Sequence, residues 1–441
     1  MTLLNFQPLL LKNGHVIDPA TGLDSVTDIL VREGRITLIA PDITPEEGEE
    51  VIDVGGKYVV PGLIDCHVHL RDFEECQRET IASGTRAAVM GGFTAVICEP
   101  NTKPPLDSPE RLEALREKVE REALCRVYAK ASMTRGREGE VLTDFKALKG
   151  HPLVVALSED GNPIVEEQLM REACRQAAKH QLPLSPHCED SGFSLARKPK
   201  GLGFQPREPF HNEPGFIARD LRLAQETGGG STAGVKVHIS HVSLSESIQI
   251  IEEAKKDGKG RITCEVTPHH LFLDEASRGP HGLPFTVNPP LRKKEDCTAL
   301  QKAIKEGTID AIASDHAPHR EEDKRAGAPG LIGLETTLGV VLTRLVHPGI
   351  ISLKEAVKLM STNPARIFGL GGGSLAVGSP ADITVIDMER EWIVEGKRFQ
   401  SLARNCPFEG WRLKGQAVLT MVGGRVVMRE GVIKGFKRLR V

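Results

Sequence analysis

The chain has 441 residues, enough for one large domain and a smaller companion at roughly 150 residues per domain. Lys and Arg number 57 against 60 Asp and Glu, a formal net charge of −3, which excludes a general electrostatic pull toward nucleic acid or an anionic membrane. With 39 % hydrophobic residues but only 4 % aromatics, the core must rest on aliphatic side chains, which suits a packed β/α interior better than a base-stacking surface.

The opening MTLLNFQPLLLKNG lacks the basic segment, long apolar run and small-residue cleavage site of a secretory signal, and no stretch approaches the ~20 apolar residues of a membrane span. The nine cysteines are odd in number, scattered and without a CxxC pair. They point to reduced thiols in a cytoplasmic protein rather than to a zinc ribbon or disulfide framework. Neither nucleic acid nor membrane is expected as a partner.

Residues 1–60 read as short strands with turn punctuation at Asn13-Gly14 and Glu33-Gly34, ending at Pro61-Gly62. Residues 371–441 look alike, with ADITVIDME and a Gly423-Gly424 turn inside AVLTMVGGRVVMREGVI. Two β-rich ends around a different middle predict one small β-sandwich built from both termini.

The middle, 61–370, repeats a short buried strand followed by an amphipathic stretch. Candidate strands fall at 62–68, 93–99, 126–132, 153–159, 182–187, 235–241, 261–267 and 310–314. Between them SPERLEALREKVEREA and EEQLMREACRQAAKH carry apolar residues three and four apart. Eight such units predict a parallel (β/α)8 barrel; a doubly wound open sheet is the alternative, but no GxGxxG follows the first strand.

Reactive residues of such a barrel project from the C-terminal ends of its strands. The first ends in Asp65-Cys66-His67-Val68-His69-Leu70-Arg71, where period two turns His67 and His69 the same way, able to grip one metal ion. Others end at Glu99-Pro100-Asn101, Glu159-Asp160-Gly161, His187-Cys188-Glu189, Ser240-His241 and Asp315-His316-Ala317-Pro318-His319. Taken singly, His187 or His241 reads as a hydrogen-bonded structural histidine, Asp160 or Asp315 as a turn or cap residue, and Asn101 as a loop cap. Their convergence on one rim points instead to a metal site. The histidines at 15, 151, 180, 211, 238, 281 and 347 read as structural or surface residues. Cys66 and Cys188 should face away from the site as buried thiols.

Imidazole and carboxylate without thiolate suit Zn²⁺, with Co²⁺ or Mn²⁺ as substitutes. Four histidines and two aspartates exceed the three protein ligands of a single catalytic zinc and suit two ions, with one Asp bridging them. Two ions, less two carboxylates and a hydroxide, leave a residual charge of about +1, which favours an anionic substrate and a water acidified to near pH 7.

PGLIDCHVHLR, GTRAAVMGGFTAVICEPNTKP, HCEDSG, HISHVS, EVTPHHLFL, NPPLR, SDHAPH and GLET, in this order, resemble the dihydroorotases of the amidohydrolase superfamily, from about residue 10 to the end. The HxH after PG-ID is specific only to the superfamily; HLR, PNTKP, VNPPLR and SDHAPH together are far more specific. The resemblance implies that His67, His69 and Asp315 hold one zinc, that His187 and His241 hold the other, and that Asp160 bridges, where several superfamily members carry a carboxylated lysine. It implies that Arg71, Asn101 and Asn288 hold the substrate carboxylate, with further contacts from His319 and the backbone at Pro329-Gly330. Two departures concern loop shape: Asp72-Phe73-Glu74 follows Arg71 where relatives often have Pro-Gly, and the stretch from His319 to Gly333 is slightly short.

The implied reaction is reversible hydrolysis of (S)-dihydroorotate to N-carbamoyl-L-aspartate in pyrimidine biosynthesis, with Asp315 carrying the proton. Arg71 fits that substrate, since its planar fork rewards a carboxylate that a neutral cyclic ureide lacks. Self-association and association with aspartate carbamoyltransferase are the partners the resemblance admits besides the small-molecule substrate. Two rivals remain at this level: an allantoinase- or hydantoinase-like hydrolase, and a barrel without metals serving as a scaffold.

Overall fold

The computed structural model describes residues 7–189, 213–227, 234–256, 261–279 and 285–434. His211 and His281 lie outside them. Eight strands, Leu63–Val68, Phe93–Cys98, Arg126–Ser132, Val154–Ser158, Leu184–Ser185, Lys236–Ile239, Arg261–Val266 and Ala311–Ile312, pair in parallel in chain order. The sheet closes on itself where Val68 bridges His316 and the His69 N–H donates to the His316 carbonyl at 2.8 Å. This is the expected (β/α)8 barrel.

Local chemistry explains the helices around it. Ser108 caps Pro109–Glu122, its hydroxyl accepting from the Arg111 N–H, and Leu112, Leu115 and Val119 form the buried stripe. Glu167–His180 buries Met170, Ala173, Cys174 and Ala177 and stops at Gln181, which turns left-handed. Each of the larger of these, Leu112, Leu115, Val119 and Met170, contributes about 1.5–3 kcal/mol on burial.

The fifth and eighth strands are shorter than expected. Leu184–Ser185 sits between Pro183 and Pro186, which have no N–H for a ladder. In the eighth, the Ser314 N–H leaves the ladder and donates to the Asp65 carboxylate at 3.1 and 3.2 Å.

The remaining strands form one nine-stranded sheet fed by both ends of the chain. Tyr58–Pro61 pairs antiparallel with Ile383–Ile393, joining the amino-terminal strands to Arg412–Val422 and Arg425–Arg429. Leu9, Leu11, Ile29, Val59, Ile383, Val385 and Met421 make its apolar core. Glu33-Gly34 and Gly423-Gly424 form two-residue turns with positive φ throughout, the geometry that hairpins favour. Asn13-Gly14 does not turn the chain. Leu9–Asp18 runs through it as one strand with a bulge, Asn13 being left-handed and Gly14 lying where a Cβ would come within 2.5 Å of Val59 Cγ2.

No helix among the described residues is long and apolar enough to cross a membrane. All nine cysteines are free, and only Cys76 is exposed.

Candidate metal centre

Six side chains from five strand ends meet at one rim of the barrel. His69 Nε2 lies 3.0 Å from Asp315 Oδ1, and His67 Nε2 lies 3.6 Å from the same oxygen. His67 Nε2, His187 Nδ1 and His241 Nε2 each stand 3.3 Å from Asp160 Oδ1, while His69 Nε2 stands 3.6 Å from Asp160 Oδ2. Ligand atoms of His67, His69 and Asp315 form one cluster within 4.8 Å, and those of His67, Asp160 and His241 a second. His187 joins the second, its Nδ1 lying 3.0 Å from His241 Nε2. His241 and Asp315 both adopt positive φ, 34° and 47°, strain of the kind that gathers at functional sites.

A cation fits these residues. Two donors each about 2.0–2.1 Å from a tetrahedral ion stand roughly 3.3 Å apart, the spacing this cluster shows. His67 Nε2, fully buried, has no hydrogen-bond partner among the described residues, an orphan that calls for one. Around it four buried carboxyl groups, Asp160, Asp315, Glu99 and Glu265, face the single ammonium of Lys130.

The electrostatics agree. Burial opposes ionisation of Asp160, yet His187, His241 and His67 hold its carboxyl well below the usual range. Asp315 is likewise held down against burial, chiefly by His69 and His67. Burial also disfavours charge on His67, but Glu99, Glu265 and Asp160 outweigh it and raise the imidazole well above its ordinary value. The rim therefore draws positive charge, as a proton or as a metal ion competing with it.

The expected substrate residues surround this centre. Arg71, buried and at φ 52°, donates from Nε to the Pro318 carbonyl at 3.3 Å and meets His319 Nε2 with Nη2 at 3.2 Å. Asn101 sets Oδ1 2.8 Å from His69 Nδ1 and donates from Nδ2 to Asp160 Oδ2 at 3.0 Å, so both ends of its amide brace ligands. Asn288 Nδ2 lies 2.9 Å from His187 Nε2. The Pro329 carbonyl faces the His319 ring. Gly330, at φ 144°, has its N–H on the Thr286 carbonyl at 3.0 Å and its own carbonyl on Lys324 and Asn405, at 2.8 and 3.0 Å. A Cβ there would come within 2.9 Å of Ala317 and His319.

Sequence reasoning missed the floor beneath the rim. Glu265 Oε1 lies 2.7 Å from His67 Nδ1, and its Oε2 is 3.0 Å from both His238 Nε2 and Cys66 Sγ. Glu99 pairs with Lys130 at 2.5 Å, and Lys130 also donates to Ser185 Oγ at 2.9 Å. The available signal was a carboxylate inside RITCEV and a lysine inside RVYAKAS, both otherwise buried strands. Cys66 was expected to face away. It turns inward instead, because a register irregularity between Asp65 and Val68 brings consecutive side chains to the barrel interior. Cys188 does face the helical layer, its Sγ 3.8 Å from Asp220 Oδ2 on the helix Glu213–Glu226. The thiols of both are pushed well up, first by burial.

Residues 58–427 match the model of the amidohydrolase family. The chain is 43 % identical over 430 residues to the dihydroorotase of Aquifex aeolicus (strain VF5), covering 96 % of this chain and 99 % of that protein. It is 41 % identical over 433 residues to the dihydroorotase of Geobacillus sp. (strain WCH70), covering 96 % and 99 %. Among solved structures it is similar to the L-hydantoinase (dihydropyrimidinase) of Arthrobacter aurescens, with a TM-score of 0.83 at 28 % identity over 97 % of both chains. A D-hydantoinase (dihydropyrimidinase) of Thermus sp. gives a TM-score of 0.82 at 26 % identity, again over 97 % of both. The strand order, the shared rim and likeness over nearly the whole length agree: the chain belongs to the amidohydrolase family, in its dihydroorotase group.

Proposed function

We propose that the chain is a dihydroorotase, a metal-dependent cyclic amide hydrolase that interconverts N-carbamoyl-L-aspartate and (S)-dihydroorotate plus water in pyrimidine biosynthesis. The observation that carries this reading is Arg71, a buried guanidinium beside a rim of four histidines and two aspartates. A carboxylate substrate rewards that guanidinium; a neutral ureide does not.

In this reading His67, His69 and Asp315 would hold one zinc ion and His187 and His241 a second, with Asp160 available to both. Bound there, the ions supply Lewis acidity toward the ring carbonyl and acidify water. Asp315, kept ionised by its histidines, takes a proton from the attacking water and returns it to the leaving ring nitrogen. Arg71 binds the substrate carboxylate and orients the ring, with Asn288 and His319 flanking it and the Pro329-Gly330 backbone walling that side. Asn101 braces His69 and Asp160, and its second amide N–H is left over for the substrate carboxylate.

The setting is cytoplasmic. Self-association and pairing with aspartate carbamoyltransferase are the assemblies consistent with this reading, and light scattering of the chain alone and mixed with that enzyme separates them. The substrate class is tested by a panel of dihydroorotate, hydantoin, dihydrouracil and allantoin. Turnover of dihydroorotate far above the three neutral rings is expected; preference for a neutral ring favours the hydantoinase-like alternative that the structural neighbours suggest.

A further inference from the structure

His67 belongs to both ligand clusters at the rim, its Nε2 standing 3.3 Å from Asp160 Oδ1 and 3.6 Å from Asp315 Oδ1, so the orientation of its ring shapes the centre. What holds that ring is a carboxylate from two strands round the closed barrel. Glu265, on the seventh strand and 0 % exposed, places Oε1 2.7 Å from His67 Nδ1, leaving Nε2 as the nitrogen that faces Asp160 and Asp315. The same residue touches the sixth strand end: its backbone carbonyl accepts from the Val242 N–H at 2.9 Å, and Oε1 lies 3.4 Å from the His241 N–H. Its other oxygen is held by His238 and Cys66, each at 3.0 Å, so the carboxylate cannot swing away.

We propose that Glu265 is the positioning residue of the metal centre: it fixes the Nδ1–H tautomer of His67 and anchors the loop of His241, thereby presenting His67 Nε2 to the cation that His69 and Asp315 would share with it. Imidazole ligands generally depend on such a partner for the far nitrogen, which sets the ring's orientation and raises its basicity. Cys66 and His238 complete the carboxylate's hydrogen bonds rather than binding a cation themselves, since Lys130 already supplies positive charge to this floor. Glu99, 3.6 Å from His67 Nδ1 and paired with Lys130, is too distant for that role.

The inference rests on the metal-dependent reading, and the test separates the two. Metal-free wild type, E265Q, E265D and H238N are titrated with zinc against a chromogenic chelator, and their metal-free melting temperatures are compared. H238N disturbs the same carboxylate outside the ligand set and is expected to bind zinc within about threefold of wild type. E265Q and E265D are expected to bind about 10- to 100-fold more weakly, the range typical when such a partner is removed. A folded E265Q with unchanged zinc affinity overturns the proposal, as does H238N weakening zinc as much as E265Q. Should the Glu265 variants not fold, zinc-loaded wild type labelled with ¹⁵N-histidine decides. A proton on His67 Nδ1 and none on Nε2 is expected; a proton-free Nδ1 contradicts it. Dihydroorotate turnover by the wild-type holoenzyme reports separately on the underlying reading.

Discussion

Arg71 Nη2 and His319 Nε2 lie 3.2 Å apart, a contact that requires the imidazole to accept and therefore to be neutral. Among the described residues no carboxylate pairs directly with the guanidinium, whose Nε donates to the Pro318 carbonyl at 3.3 Å. In the proposed reaction this buried cation receives the carboxylate of the substrate.

Replacing it tests that role. Arg71→Met keeps the buried volume roughly constant and removes the fork. The variant is expected to bind zinc as wild type does and to lose about 10²- to 10³-fold in kcat/KM for dihydroorotate, mostly through KM, since truncating one partner of a buried charged pair costs roughly 2–5 kcal/mol. Steady-state kinetics alongside metal analysis check it, and unchanged kinetics remove Arg71 from the site.

His319 gives a prediction in pH. Burial, then the cations Arg71, Arg78 and Lys324, push its imidazole down to about 3 from an ordinary 6.5. Between those values the unfolded chain binds a proton that the folded one does not. The stability tied to neutral His319 is thus present above pH 6.5 and is lost as pH falls toward 3. In His319→Gln the unfolding free energy of metal-free protein should fall less steeply with acid, by up to about 1.4 kcal/mol per pH unit. Denaturant titrations at pH 7, 6, 5 and 4 measure the slope, and equal slopes show that His319 is not held neutral by the fold.

In the proposed reaction Asp315 carries the proton. Asp315→Asn keeps an oxygen for the metal but cannot accept a proton at neutral pH. Turnover of the metal-saturated variant should fall more than about 10²-fold, the lower end of what a general acid–base group contributes. Single-turnover measurements at matched metal content separate chemistry from metal loss, and a rate within tenfold of wild type rejects the assignment.

The parts of this molecule that follow from local pattern were legible in the sequence. Ser108 and the spacing of Leu112, Leu115 and Val119 announced a helix, and HxH at period two announced that His67 and His69 point into one cluster. What pattern does not carry is register across the barrel. Glu265 sits 198 residues from His67, and no periodicity says that the two side chains meet. Cys66 was misread for a related reason: strict alternation assumes a regular strand, and the irregularity after Asp65 breaks it. Asn13-Gly14 shows a further limit, since a left-handed residue followed by glycine serves a bulge as well as a hairpin, and only the neighbouring strand at Val59 decides between them. The place of Asn101 at a strand end was legible, but its bracing of His69 and Asp160 depends on side-chain geometry that strand order alone does not determine.

The most direct measurement starts the reaction from both ends. Zinc-loaded protein is supplied with dihydroorotate in one vessel and N-carbamoyl-L-aspartate in another, and both compounds are followed by chromatography. Convergence of the two vessels on one ratio, abolished by a chelator and restored by zinc, is the predicted result. Metal-replete, folded protein that leaves both compounds untouched would contradict the account.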